Sequence, residues 1–274
     1  MKHVKPPSEV LHPRGWHSDV SHQRKVTSYA VEANFYQSFA SFCDEACYVP
    51  QFVGLIQSSE QGEQQTLIME DLDTTGFNRV HHKINEIQIK AVLSWLAHFH
   101  GRFINTETPG LWPIGSYWHF ATRQDEYQAM PKGMLKDKAK YIADTIEAAR
   151  FRTLVHGDAK LANFCFSQSD AVAAVDFQYV GTGVGVKDVM YFLGSCLQDK
   201  QLWALHDQFI DYYFSVLKQV MSQYSQTEFE HLEQEWRALI PFVWADFHRF
   251  LLGWSAEHPK INDFMHTQTA LALE

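Results

Sequence analysis

Two short apolar runs, Thr153-Leu154-Val155 and Ala171 to Phe177, are each followed at once by a cluster of charged and amide side chains. The chain around them has mostly helical spacing. It must therefore build a few short strands inside a mainly helical body, which makes it α+β. The first cluster is His156-Gly157-Asp158-Ala159-Lys160-Leu161-Ala162-Asn163 and the second is Asp176-Phe177-Gln178. Sites are often assembled where rigid strands end, because the strand holds the side chain in place. Hard divalent cations such as Mg²⁺ prefer carboxylate and amide oxygens and keep some water. Asn163 and Asp176 offer two such oxygens, Asp158 is suited to accept a proton from a hydroxyl nucleophile, and Lys160 to neutralise a phosphoryl group in transit. Those roles are the ones phosphoryl transfer needs. A lone His-Gly-Asp is equally well a turn, with Asp158 as a helix N-cap. Asn163 five residues on, and the second cluster after the next strand, decide for chemistry.

The rest of the chain falls into a small unit and a larger one. Residues 26–43 have Val26, Tyr29, Ala33, Tyr36 and Ala40 at helical spacing. Two strands, 52–56 and 66–69, follow, joined by a polar turn from Ser58 to Gln64. A helix begins near Asn85, with Ile89, Val92, Leu96, Phe99 and Phe103 on one face. From about residue 200 the chain is helical and aromatic, and Pro241 should kink or break the helix it interrupts. Gly181-Thr182-Gly183-Val184-Gly185 invites a dinucleotide-binding reading, but residue 186 is Val where the fingerprint needs a third Gly. These glycines are expected to form a flexible stretch bordering an acceptor site. No G-x-x-x-x-G-K-[ST] is present, which rules against a P-loop kinase.

Composition removes other classes. With 23 Lys and Arg against 32 Asp and Glu, the net charge is −9, unsuited to a general nucleic-acid binder. A hydrophobic content of 46% is enough for a substantial core. No apolar run is long enough to suggest a membrane span, and Met1 to Pro7 has no apolar signal-peptide core. Cys43, Cys47, Cys165 and Cys196 lack a C-x-x-C pair and are expected to be reduced, mostly buried thiols of a cytoplasmic protein. Cys43 and Cys47 are one helical turn apart, but there is no second pair to complete a metal site. The 15 histidines are scattered and lack the spacing of a zinc helix.

The run His156-Gly157-Asp158-x-Lys160-x-x-Asn163, with Asp176-Phe177-Gln178 after it, resembles the kinase catalytic loop and metal-binding motif. Gly in place of the Arg of H-R-D is similar to the small-molecule branch: aminoglycoside phosphotransferases, choline kinases and especially ecdysteroid-kinase-like proteins. Asp-Phe-Gln in place of Asp-Phe-Gly resembles the last of these. Glu70-Asp71-Leu72 looks like the hinge beside the nucleotide's adenine. Leu96 to His100 looks like the helix before the catalytic loop, and Asp188 to Leu193 like the segment after the metal motif. The resemblance runs from about Lys2 to Leu193. It implies a protein-kinase-like bilobal α+β fold, with a small β-containing lobe over residues 1–72 and a larger, mainly helical lobe over 73–274.

It also implies roles. Asp158 is the base, Lys160 steadies the transferred phosphoryl, and Asn163 and Asp176 hold Mg²⁺. His156 orients the loop, and Asp188 anchors backbone amides. The nucleotide is ATP or GTP, and the acceptor is a hydroxyl-bearing small molecule rather than a nucleic acid or a membrane. A kinase-type small lobe begins with a glycine-rich hairpin, then a strand lysine that pairs with a helix glutamate. Glu32 matches the glutamate and Lys2 the lysine, better than Lys25 seven residues before Glu32. With Lys2 in that role nothing upstream is left for the hairpin, so the chain is expected to be short at its start, by misassignment, truncation or loss. Residues 2–5 would add a strand to the small lobe, and its exposed edge makes both monomer and homodimer open. A non-catalytic kinase-like binding protein that has lost its phosphate-covering loop is the alternative. A metal-dependent hydrolase is weaker, since it leaves Lys160 and the hinge without a role.

Overall fold

The computed structural model describes residues 2–4, 19–57 and 65–274. The turn expected at Ser58–Gln64, and Lys5 of the expected first strand, lie outside these residues. Strands β1 (Lys2–Val4), β2 (Phe52–Gln57) and β3 (Gln65–Met69) make an antiparallel sheet in the order β1-β3-β2, with Lys2 opposite Leu67. Helix α1 (Asp19–Ser38) lies between β1 and β2 in the chain and is followed by a 3-10 turn, Ala40–Phe42. This differs from the helix expected over 26–43. Of the expected apolar positions Ala33, Tyr36 and Ala40 are buried and Val26 and Tyr29 stay half-exposed; Ser28, Val31, Glu32 and Phe35 of α1 are buried as well, which widens the face. The face is set by what Glu32 and Phe35 touch, Lys2 and Phe177, and not by the apolar count alone.

Helix α2 (Glu86–Arg102) starts where the sequence indicates. The Asn85 side chain accepts from the Gln88 amide at 3.0 Å and Gln88 accepts in return from the Asn85 amide at 3.1 Å, a reciprocal cap. Ile89, Val92, Leu96 and Phe99 are buried along one stripe. Short helices α3 (Gln124–Ala129), α4 (Met134–Asp137) and α5 (Ala139–Glu147) lead to β4 (Thr153–Val155). Then come β5 (Phe164–Phe166), β6 (Val172–Ala174) and β7 (Gly181–Gly183), and helices α6 (Val186–Cys196), α7 (Asp199–Val220), α8 (Gln226–Trp254) and α9 (Asp263–Leu273). Helix α2 packs on α7, and α8 packs on α3, α5, α6 and α9. No helix among the described residues is long and apolar enough to cross a membrane.

Several expectations are corrected by this fold. The strand expected over Ala171 to Phe177 is only Val172–Ala174, because the backbone turns at Asp176 with φ 67°. It pairs with β5, which the sequence did not suggest. The glycines at 181–185 are not a flexible stretch: Gly181–Gly183 is β7, antiparallel to β4 with Val155 opposite Gly181. A Cβ at Gly181 would collide with the Trp112 carbonyl oxygen, and one at Gly183 would lie 2.9 Å from a Val155 methyl. Close packing, not mobility, calls for glycine there. Pro241 does not break α8, whose 29 residues run on through it. The helix loses one backbone hydrogen bond at proline but is held by its packing on α3, α5, α6 and α9. The cysteines are unpaired as expected, yet only Cys47 is buried and the others are half-buried.

Gly181→Ala is expected to lower unfolding stability by about 1–3 kcal/mol, the range for overpacking a filled site. Gly54→Ala in β2, where an added Cβ meets nothing within 4 Å, should stay within about 0.5 kcal/mol of the parent. Urea denaturation of both variants checks this.

Candidate active site

The first loop leaves β4 and turns at once. Gly157 has φ 76°, and a Cβ there would collide with the Tyr179 carbonyl oxygen, so this position takes glycine. Two amides of the turn, His156 N and Gly157 N, donate to the carboxylate of Asp188 at 2.6 and 3.0 Å. Asp188 is fully buried near the start of α6 and also meets His100 Nε2 at 3.2 Å, whose Nδ1 lies 2.9 Å from the Tyr213 hydroxyl. His156 accepts from the Asp158 amide on Nδ1 at 3.2 Å and donates from Nε2 to the Val175 carbonyl at 2.9 Å. That pairing fits the neutral Nε2–H tautomer, assigned from the partners.

This places Asp158, 3% exposed, with a definite set of neighbours. Its Oδ2 accepts from Lys160 Nζ at 2.8 Å and Asn163 Nδ2 at 3.1 Å. Its Oδ1 is buried and has no partner of normal hydrogen-bond geometry, although the Tyr191 phenol lies close. Burial pushes the Asp158 carboxyl up, and the Lys160 ammonium pulls it back. For Lys160 the order reverses in effect: burial lowers its pKa, but the attraction of Asp158 leaves it raised. The short contact and the half-open position of Lys160 decide for the charged pair.

The second loop is tied to the first. Val175 N donates to the Asn163 carbonyl at 3.0 Å, and Asp176 follows in the left-handed region, a costly conformation for a residue with a Cβ. Lys2 Nζ lies 2.8 and 2.7 Å from the two Glu32 oxygens and 3.3 Å from Asp176 Oδ1. Burial works against the Lys2 cation, yet Glu32 and Asp176 together raise its pKa, whereas burial also raises that of Glu32. One ammonium between both oxygens of a carboxylate favours the ionised pair. Phe177 stacks on Phe35 of α1 at 3.9 Å between ring centres and contacts the His156 ring. Gln178 Oε1 accepts from Lys25 at 3.0 Å, so Lys25 serves the second loop.

Lys2, Glu32 and Asp176 therefore form one cluster and Asp158, Lys160 and Asn163 another, joined by the loop-to-loop bond. Glu70, Asp71 and Leu72 are not bonded to either among the described residues. Glu70 holds the Tyr48 hydroxyl at 2.7 Å, Asp71 is exposed and caps a turn through the Asp73 amide, and Leu72 is half-buried. They continue from β3, on which Lys2 is laid. A pocket of about 540 Å³ among Tyr36, Cys43, Tyr48 and Phe52 is lined by none of the clustered residues.

A metal is testable against these side chains. The Asn163 amide donates through Nδ2, which leaves its oxygen without a donor among the described residues, and one Asp176 oxygen is likewise unengaged. Among the described residues no three His, Cys, Asp or Glu gather as a metal cage. One carboxylate and one amide oxygen suit an ion that retains water and takes phosphate oxygens, as Mg²⁺ does.

The sequence profile of the ecdysteroid kinase-like family matches residues 17–106 and 117–225. The chain belongs to that family. Its members are kinase-like small-molecule phosphotransferases. Among curated sequences no protein matches the chain. Solved structures similar to it include an amicoumacin kinase in complex with AMP-PNP, Ca²⁺ and Ami, at 13% identity and TM-score 0.54, over 91% of this chain and 77% of that one. A microcompartment-associated aminopropanol kinase aligns at 13% identity and TM-score 0.52, over 95% and 81%. A thermostable mutant of an aminoglycoside phosphotransferase, in ternary complex with ADP and hygromycin B, aligns at 13% identity and TM-score 0.50, over 88% and 82%. At these identities the likeness establishes the kinase-like fold alone.

Some residues around Asp158 carry no sequence signal. Tyr191 is inside the noted Asp188–Leu193 segment, but nothing in the pattern links its phenol to Asp158. Lys260, between α8 and α9, feels the charges of Asp158 and Lys160 from about a hundred residues away.

Asp188→Asn turns one of two accepting oxygens into a donor that faces a backbone N–H. It is expected to cost about 1–3 kcal/mol of stability, the desolvation cost of an unsatisfied buried group, read by chemical denaturation.

Proposed function

We propose that this chain is an ATP- and Mg²⁺-dependent phosphotransferase acting on a hydroxyl group of a small-molecule acceptor. One observation carries the reading: a buried Asp158 carboxylate is held on one oxygen by Lys160 and Asn163 and left without a partner of normal geometry on the other. In the step, the acceptor oxygen bonds to the terminal phosphorus of ATP. The bond from that phosphorus to its bridging oxygen breaks, its electron pair leaves with ADP, and the acceptor's proton passes to Asp158 Oδ1. Mg²⁺, when bound, neutralises phosphate charge. Asn163 and Asp176 are the residues to hold it. Lys160 steadies the transferred group, Lys2 pairs with phosphate oxygens while Glu32 aims it, and Glu70-Asp71-Leu72 border the adenine.

The first test is thermal melting with and without Mg²⁺-ATP. Nucleotide at ~100 times its Kd should stabilise by about 2.7 kcal/mol. No shift would count against the reading, and a shift without ADP release on any hydroxyl-bearing acceptor would favour a non-catalytic binding protein. Asp158→Asn should lower kcat by about 10² to 10⁴ and leave nucleotide affinity near the parent's, since the base acts only as the hydroxyl loses its proton. Asp176→Asn should instead move the Mg²⁺ requirement to higher concentration. Because burial raises the Asp158 pKa, the acid limb of kcat/KM should lie above the ordinary aspartate range, with activity lost as pH falls through it.

A further inference from the structure

We propose that Lys260 receives a carboxylate of the acceptor, so that the substrate is a hydroxy acid rather than an amino alcohol or a polycation. The inference rests on the phosphotransferase reading and adds the substrate class. Lys260 Nζ lies 4.9 Å from the centre of the Tyr191 ring and 5.6 Å from that of Phe247. The phenol end of the same Tyr191 reaches Asp158. The ammonium and the base are therefore both neighbours of one tyrosine, and each acts electrostatically on the other.

Lys260 is half-buried, and its ammonium has no ion pair or hydrogen bond among the described residues; only ring faces meet it. The groups whose charge reaches it are Asp158, Lys160 and Cys196, and the nearby His258 accepts from the backbone amide of Lys260. Asp158 is already paired with Lys160. Burial lowers the Lys260 pKa to about 8, and the attraction of Asp158 offsets it only in part. A desolvated cation on aromatic faces gains most from an anion that completes its shell. A single ammonium matches the single charge of a carboxylate, whereas a phosphate dianion asks for a second cation, and Lys160 is assigned to the transferred phosphoryl. The aminopropanol kinase and the aminoglycoside phosphotransferase of similar fold are named for substrates that carry amines. An unpaired lysine beside the base selects against such charge.

Three probes of one shape separate the possibilities: mandelate, 1-phenyl-1,2-ethanediol and 2-amino-1-phenylethanol, which carry a carboxylate, a hydroxyl and an ammonium on the same phenyl carbinol. Affinity is read by thermal melting of the full chain, with and without Mg²⁺-AMP-PNP. The expected order is mandelate first by about tenfold or more, the size of one charge-assisted hydrogen bond, with the amine last. Lys260→Met should remove the preference and Lys260→Arg should keep it. A first place for the diol or the amine, equal or absent stabilisation by all three, or a mandelate preference that survives Lys260→Met would each overturn the assignment. So would a loss of AMP-PNP affinity in Lys260→Met larger than the loss for mandelate, because the lysine would then serve the nucleotide. Failure of AMP-PNP to stabilise the parent chain strikes the phosphotransferase reading itself, and the probe ranking without nucleotide still judges Lys260.

Discussion

A fully buried carboxylate, Asp188, organises the centre of this protein. A charge in such a place is tolerated only when its oxygens are filled, and here two backbone amides and a histidine fill them. Those amides belong to the turn that carries Asp158. The need of the carboxylate and the shape of the loop are thus one condition: the turn fits only with Gly157 in the left-handed region, against the Tyr179 carbonyl. From this anchor the rest follows in order. His156 bridges to Val175, Asn163 meets the same strand end, and Asp176 emerges beside Lys2.

The small sheet is joined to the helical part through one helix and a few rings. Helix α1 carries Glu32 to Lys2, Phe35 to Phe177 and Ser28 towards Gln178, all on the face it buries. Neighbouring turns of one helix face thereby read three points of the site at once. A shift of α1 along its axis would break the ion pair, the ring stack and the glutamine contact together. The Asp-Phe-Gln segment is for that reason as much a structural clamp as a source of one carboxylate. Gln178 takes part through its side-chain oxygen, a contact that glycine at this position has no atoms to make.

Local order was readable wherever one residue type has one physical use. The start of α2 near Asn85, the stripe on that helix and the β2–β3 pair all fall in that class. The failures share a cause as well. Glycine serves both mobile loops and tight contacts, so Gly181 to Gly185 was ambiguous until Trp112 and Val155 were seen against it. Of the two outcomes open at Pro241, a kink or a break, the break does not occur, because proline excludes one hydrogen bond but not a helix that neighbours hold in place. Apolar spacing on α1 found Ala33, Tyr36 and Ala40 but not the buried Glu32 beside them, because that acidic residue is buried by a lysine far away in sequence. The juxtaposition of Tyr191, Lys260 and Asp158 is tertiary throughout and left no periodic trace.

Charge balance around the two loops bears on what the proposed site requires. Glu32, Asp158 and Asp176 face Lys2, Lys25, Lys160 and Lys260, three anions to four cations, within a chain of net charge −9. Lys2 is shared by two carboxylates and Lys160 is committed to Asp158. Under the proposed phosphotransferase reading, a triphosphate entering here meets lysines that carboxylates already share, Lys2 and Lys160, and so gains less from them than from free cations. Asp176 would repel it, and the strained backbone that presents Asp176 would then have no purpose. A divalent cation reverses both effects, since it turns the Asp176 carboxylate and the Asn163 oxygen into attractive partners and supplies the missing charge to the phosphates. Lys260, over the Tyr191 ring, has no ion pair among the described residues, which is why the proposed acceptor carboxylate is assigned to it.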